Sequence, residues 1–275
     1  MGNLWKGFKE HRTFRFTSLL VILLIALVVL APVIAPYNPL EAVMKDANQA
    51  PSMAHLFGTD KLGRDVLSRI LYGGAYSLSS VLALVAIIFC VGTFLGLVAG
   101  YFGGLIDTVI MRVADMMSSF PGVILAIAIA GFMGGSLVNA MIALTAVTWT
   151  KYARLSRSMV LKIRKRDFVD AAIVSGGTSS HILWTHIMPN VVPILVITAV
   201  SDIGAMMMEL AGLSFLGFGS QPPAPEWGLM LNEGRQQLQT APWLMVFPGL
   251  AIFISVVIFN LWGDALRDVL DPRDQ

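Results

Sequence analysis

Residues 70 to 106 run without a single aspartate, glutamate, lysine or arginine, and 17–35, 116–150 and 236–263 are equally free of charge. With 56% hydrophobic residues, 13% charged residues and a mean hydropathy of +0.74, the chain cannot cover a soluble core with polar surface. It reads as an all-α polytopic membrane protein. A net charge of +2 is too small for a nucleic-acid binder. The single cysteine, Cys90, sits inside an apolar run. It excludes an intrachain disulfide framework or thiolate cluster and reads as a small buried hydrophobe.

The 17–35 run would span about 28 Å as a helix, close to a bilayer core. It follows Lys6, Lys9, Arg12 and Arg15, as a signal peptide would. It exceeds a usual signal core and ends without an A-x-A site, so it reads as a retained span. The 116–150 gap is too long for one helix, and Gly131 to Ser136 supplies a turn. Six spans are expected, near 17–35, 77–100, 109–131, 137–158, 191–216 and 243–263. With the N-terminus inside, fourteen of the nineteen basic residues face the cytoplasm, leaving Lys45, Lys61, Arg64, Arg69 and Arg235 outside, as the positive-inside rule requires. The expected organisation is a cytoplasmic tail and first span over 1–36, then an extracytoplasmic segment over 37–75. A core over 76–264 follows, with a cytoplasmic segment at 160–189, and 265–275 forms a cytoplasmic tail.

Within that cytoplasmic segment, KIRKRDFVDAAIVSGGTSSHILWTHIMPN (162–190) predicts an amphipathic helix over Lys162–Val174, a break at Gly176-Gly177, and a second helix over Ser179–Ile187. Pro189 then opens the next span. On pattern alone, this is either a protein-docking elbow or a charged loop meeting lipid headgroups. Outside, 54–74 predicts a short amphipathic helix capped by Thr59 or Asp60, with Leu62, Val66, Leu67 and Ile70 on one face. The 221–228 stretch, QPPAPEWG, reads as a rigid loop unable to pair as a strand.

Gly92, Gly96, Gly100 and Gly104 recur every fourth residue and predict close helix packing, within the subunit or against a sibling; a pore-lining role is the alternative. Three carboxylates fall in or near the bilayer, where charge is costly. Asp115 can pair with Arg112 one turn away. Asp202 and Glu209 are two turns apart on one face and either line a translocation path or make interhelical hydrogen bonds. Met206, Met207 and Met208 beside them read as adaptable packing. None of the four histidines, His11, His55, His181 and His186, lies in a span, so a dedicated high-affinity bare-metal site lacks its usual ligands.

Several strings resemble one family. Asp170-Ala171-Ala172, then Gly176, then His186-Ile187-Met188-Pro189 resembles the "EAA" signature of membrane subunits of binding-protein-dependent ABC importers. Aspartate stands there for glutamate, and histidine stands for isoleucine, as often in the peptide and nickel branch. FGTDKLGRDVLSR, AGLSFLGFGSQPPAPEWG and FNLWGDALRDVLDPR resemble segments of the second permease subunit of dipeptide, oligopeptide and nickel importers. Together the motifs reach from 56 to 273.

The resemblance implies a coupling role for Asp170, Ala171, Ala172, Gly176, His186 and Pro189. It also implies one N-terminal helix added to a five-helix core, a heterodimer with a sibling permease, two ATP-binding subunits and an extracytoplasmic solute-binding protein. Membrane lipid is the remaining partner. No G-x-x-x-x-G-K-[ST] loop occurs, so ATP hydrolysis belongs to separate subunits and the chain is not itself an enzyme. No cofactor and no protein-held metal are expected.

KYARLSRSMVLKIR and SDIGAMMMELAGLSFLG resemble nickel permeases slightly more than dipeptide ones, so the resemblance implies nickel, free or chelated, as cargo, with dipeptide or oligopeptide import as the alternative. Two other classes compete. An intramembrane serine protease at Ser214 lacks a histidine at membrane depth. A proton-coupled secondary transporter would need related halves with broken helices, which are not evident.

Overall fold

The computed structural model describes residues 11–270; Lys6, Lys9 and Arg273 lie outside them. Among the described residues the long elements are all helices, and an isolated antiparallel bridge joins Thr59 to Asp65. The helices are α1 (Arg12–Val29), α2 (Val66–Phe102), α3 (Gly104–Ser118), α4 (Gly122–Met133), α5 (Leu137–Ile163), α6 (Asp167–Val174), α7 (Ser179–Phe215), α8 (Trp227–Gly234) and α9 (Trp243–Leu270).

By length and composition α1, α2, α7 and α9 can cross a membrane, and α3 with α4 makes a fifth crossing if that bent pair is one span. The expected sixth, 137–158, lies within α5. That helix also carries Lys151, Arg154, Arg157 and Lys162 and is not among those that qualify as spans by length and composition. The expected 109–131 helix is also two pieces, bent by 92°. Pro121 is the reason: it has no N–H and pushes Phe120 out of the helical region.

Contacts divide the chain into two compact units. The first comprises the chain up to Ala83, Ile129–Ile142 and the chain from Val200. Here Phe14 of α1 packs into Ala265, Leu266 and Val269 of α9, and the Trp262 indole donates to Ser18 at 3.1 Å. The other flank of α1 shows Phe16, Leu19, Ile22 and Leu23 to the surroundings, as a lipid-facing helix does. Helices α7 and α9 touch through glycines. A Cβ on Gly204 would stand 2.3 Å from Asn260 Oδ1, and one on Gly263 would stand 2.9 Å from the Ser201 Cα. Between α4 and α5, Gly134 takes a φ of +88° and the Asn139 amide donates to the Met133 and Gly134 carbonyls at 2.9 and 3.0 Å. The expected turn at 131–136 is therefore narrowed to Gly134–Ser136.

The second unit comprises Leu84–Ala128 and Ala143–Ala199. Its seam is the glycine stripe. Cβ atoms on Gly92, Gly96 and Gly100 would come within 2.5, 2.3 and 2.8 Å of Trp149, Ala153 and Val160 of α5. Backbones this close gain van der Waals contact that lipid cannot offer as a hydrophobic drive. Gly104 does not join the seam. It has no atom within 4 Å of its Cβ position and a φ of +56°, and with Gly103 it turns the chain from α2 into α3.

The basic residues of α5 close the same unit. Arg157 Nη2 donates to Asp107 at 2.6 Å, and Arg164 donates to the Tyr101 carbonyl at 2.8 Å while lying over its ring. Asp115 accepts from Arg154 at 3.0 Å. Its observed salt bridge is thus to Arg154 and not to the expected Arg112, because α5 packs alongside α3 and brings a longer-range guanidinium that also reaches Ala114 and Ser118.

Candidate functional site

The DAA segment folds as an elbow. The expected helix over Lys162–Val174 is divided. Helix α5 runs on to Ile163, Arg166 takes an extended conformation, and α6 begins at Asp167. At the break the Arg164 side chain is anchored on the Tyr101 carbonyl at 2.8 Å. Asp167 and Asp170 occupy the first turn of α6, where carboxylates complement the amide ends of the helix.

The C-terminus of α6 is closed by a Schellman motif. Gly177 N–H donates to Ala172 O and Gly176 N–H to Ile173 O, both at 3.0 Å, with Gly176 at a φ of +81°. That pattern demands a left-handed residue at Gly176, and glycine adopts it without a Cβ penalty. Thr178 then caps α7, its hydroxyl accepting from His181 N–H at 3.3 Å.

The second helix does not stop before Pro189 as expected; α7 continues to Phe215. Its Ile182–Ile187 stretch is a π-turn. Pro189 has no N–H to give to the preceding turn and its ring crowds that turn's carbonyl, so the helix widens ahead of it. The Asn190 side chain donates to the His186 carbonyl at 2.7 Å. The buried Ile182 and Ile187 belong to the π-turn against which α6 packs.

Of the expected coupling residues, Asp170, Ala171 and Gly176 are exposed and Ala172 is half-buried, while His186 and Pro189 lie across the elbow at the start of α7. Val169 is the buried residue of α6; Phe168, Ile173 and Val174 are exposed, Val174 at 88%. A short helix that buries one side chain and shows three apolar ones presents a contact face.

Asp202 and Glu209 both lie on α7, each half-buried. Met206 and Met207 beside them are buried and Met208 is exposed. Among the described residues no group of three or more His, Cys, Asp or Glu is disposed to hold a metal ion.

Sequence reasoning missed a buried ion network. Arg64 and Arg69, counted only as outer charges, are almost wholly buried, Arg69 at 1%. Asp60 accepts from Arg64 Nε at 2.7 Å and from Arg69 Nη1. Glu233 of α8 accepts from Arg64 at 3.2 Å and from Arg69 at 2.8 Å. Burial alone would raise the Asp60 carboxyl, but the two guanidinium groups and the amides of Arg64 and Leu62 outweigh it and hold it below its ordinary value.

The expected cap at Thr59 or Asp60 is corrected here. Helix α2 begins at Val66, and Asp65 is the cap, accepting from Ser68 N–H at 2.8 Å. The preceding residues cannot be helical because Gly58 and Gly63 turn with φ of +73° and +74° against the Gln49 and Val43 carbonyls.

Glu226 is a second missed residue. It caps α8, accepting from the Gly228 and Leu229 amides at 2.8 and 2.9 Å. Burial pushes its carboxyl up, and those amides pull part of the way back. Trp227 donates from its backbone to Ser77 and from its indole to the Ile70 carbonyl at 2.9 Å. The strings GTDKLGRD and PEWG carried the signal for both sites, but sequence alone reads Arg64 as an outer charge, Asp60 as a helix cap and Glu226 as part of a rigid proline-rich loop.

Comparison with known proteins agrees with this architecture. Residues 92–273 match the family described as "Binding-protein-dependent transport system inner membrane component", and residues 1–51 match the N-terminal TM domain of oligopeptide transport permease C. The chain is 41% identical to the glutathione transport system permease protein GsiD of Pectobacterium atrosepticum, over 98% of this chain and 90% of that one. It is 40% identical to the dipeptide transport system permease protein DppC of Alkalihalophilus pseudofirmus, over 98% and 88%. Against the nickel transport system permease protein NikC of Escherichia coli K12 it is 43% identical, over 93% of each. An inward-facing structure of the MetNI methionine ABC transporter shares the fold, with a TM-score of 0.58 at 18% identity over 74% of this chain and 98% of that one. An all-helical chain whose family match takes in the DAA elbow, the α7 carboxylates and most of the closing motifs belongs to the inner-membrane permease components of binding-protein-dependent transport systems.

Proposed function

We propose that this chain is one half of the translocation path of an ATP-driven importer, coupled to its ATPase through the α6–α7 elbow. The observation that carries the reading is α6 itself, capped by Gly176 and offering Phe168, Ile173 and Val174 outward. Such a face suits a groove on a soluble partner. Docking there would transmit motion into α7, the helix that carries His186 and also the Asp202–Glu209 pair. In this reading a sibling permease completes the path, two ATP-binding subunits sit beneath it, and an extracytoplasmic binding protein delivers cargo. The termini and the 160–189 segment lie in the cytoplasm, and 37–75 lies outside.

The cargo we favour is nickel, free or chelated. A cation would gain from Asp202 and Glu209 in a low-dielectric passage. The second reading, a small peptide, is supported by the similarity to dipeptide and glutathione permeases over 98% of the chain. Uptake of radiolabelled nickel and of a labelled dipeptide by cells carrying the whole transporter tests both. Nickel uptake that falls with Asp202→Asn and Glu209→Gln and collapses on ATP depletion supports the proposal. Collapse with a proton uncoupler while ATP is held constant would make it a secondary transporter, and dipeptide uptake that outcompetes nickel would reverse the cargo.

A further inference from the structure

The π-turn that absorbs Pro189 has a second effect. In a regular α-helix, residues five apart point in different directions, because five residues overshoot one turn of 3.6 by more than a third of a revolution. Over Ile182–Ile187 the turn is wider, and His181 and His186 come onto one face. Their rings stand edge to face, 5.7 Å between centroids at an interplanar angle of 83°. The Nδ1 of His181 lies 3.3 Å from the Thr185 hydroxyl. His181 is exposed and His186 half-buried.

We propose that His181 and His186 form a two-imidazole site for a divalent cation of the nickel and zinc class, set on the elbow between α6 and α7. Imidazole suits these borderline ions. A cation about 2.1 Å from one nitrogen of each ring fits between rings at this separation after small side-chain rotations. Thr185 supplies the orienting contact typical of histidine ligands: with Nδ1–H donating to its hydroxyl, His181 presents Nε2 to the metal. Water fills the remaining coordination positions, so the site is open and exchangeable. It is not a transport waypoint. Occupancy bridges the two ends of the π-turn and stiffens the elbow. The functional consequence, metal-dependent slowing of the ATPase, rests on the coupling role proposed above; the site itself does not.

The test uses the complete transporter, purified through a tag without histidines and titrated with nickel chloride by calorimetry. Wild type should bind one more nickel ion per permease than His181→Ala or His186→Ala, and His11→Ala should titrate like wild type. Thr185→Val should keep the site with affinity about tenfold weaker. Equal stoichiometry in wild type and both alanine variants overturns the proposal. In proteoliposomes with the ATPase face outward, added nickel should lower hydrolysis in wild type but not in His181→Ala. A site lost in both variants while wild-type hydrolysis ignores nickel would uphold the metal site and remove the coupling reading, so the two fail separately.

Discussion

Arg69 at the start of α2 donates to Glu233 at the end of α8 over 2.8 Å, across 164 positions of chain. With Arg64 and Asp60 it ties the segment ahead of α2 to α8 through charges that have left water. Breaking a buried pair on one side strands the other charge and costs about 3–5 kcal/mol. Glu233→Leu should therefore lower the unfolding midpoint of the purified complex by several degrees. Arg235→Met, an exposed arginine two positions on, should change stability by about 0.5 kcal/mol or less. Equal midpoints for the two variants would show that the network carries no stability.

Gly176→Val should abolish transport while leaving membrane insertion intact. No neighbouring atom lies within 4 Å of the added Cβ, so the damage is a β-branched residue forced to a φ of +81°, which opens the Schellman closure. Gly176→Asn, a residue that tolerates the left-handed region, should retain partial uptake. Normal uptake and normal ATPase stimulation by Gly176→Val would remove this elbow from the coupling path.

Asp60 and Glu226 should titrate in opposite senses. A carboxyl lowered in the fold, as at Asp60, contributes stability above its ordinary value of 3.8 that is lost as pH falls through the folded value. A carboxyl raised in the fold, as at Glu226, costs stability as pH rises from 4.5 through the folded value. The midpoint of Glu226→Gln relative to wild type should increase as pH is raised from 4.5 toward neutrality, and that of Asp60→Asn should approach wild type only below pH 3.8. A pH-independent offset for Glu226→Gln would mean that its carboxyl is not raised.

The glycine stripe should split at its last member. Gly96→Val would drive a side chain into the Ala153 carbonyl, 2.3 Å from its Cβ, and should sharply reduce folded protein recovered from the membrane. Gly104→Asn meets no atom and needs only a left-handed φ of +56°, so it should be recovered at close to wild-type yield. Similar losses for both would make the seam with α5 irrelevant to folding.

Sidedness can be read with single cysteines in a Cys90→Ala background. Cysteines at the exposed Gln49 and Gln239 should react with an impermeant thiol reagent in intact cells, whereas one at Ser179 should react only after permeabilisation. External labelling at Ser179 would invert the chain and separate the elbow from ATP.

What the amino-acid sequence determined on its own is whatever depends on local chemistry. The runs 17–35, 70–106 and 236–263 announce helices because charge is too costly in a bilayer, and the structure has α1, α2 and α9 there. Gly176 was legible as a left-handed turn residue because its φ is a property of its own backbone. The 92° bend at Pro121 was equally local, but the length of the apolar run concealed it. Only tertiary structure decided partners. Asp115 salt-bridges Arg154, not Arg112, because α5 lies beside α3. Arg64 and Arg69, read as topology charges, are buried because Glu233, 169 and 164 positions further along the chain, folds against them beside the neighbouring Asp60. A side chain's charge can be read from sequence, but the cost of burying it depends on what folds against it, and that is a long-range property.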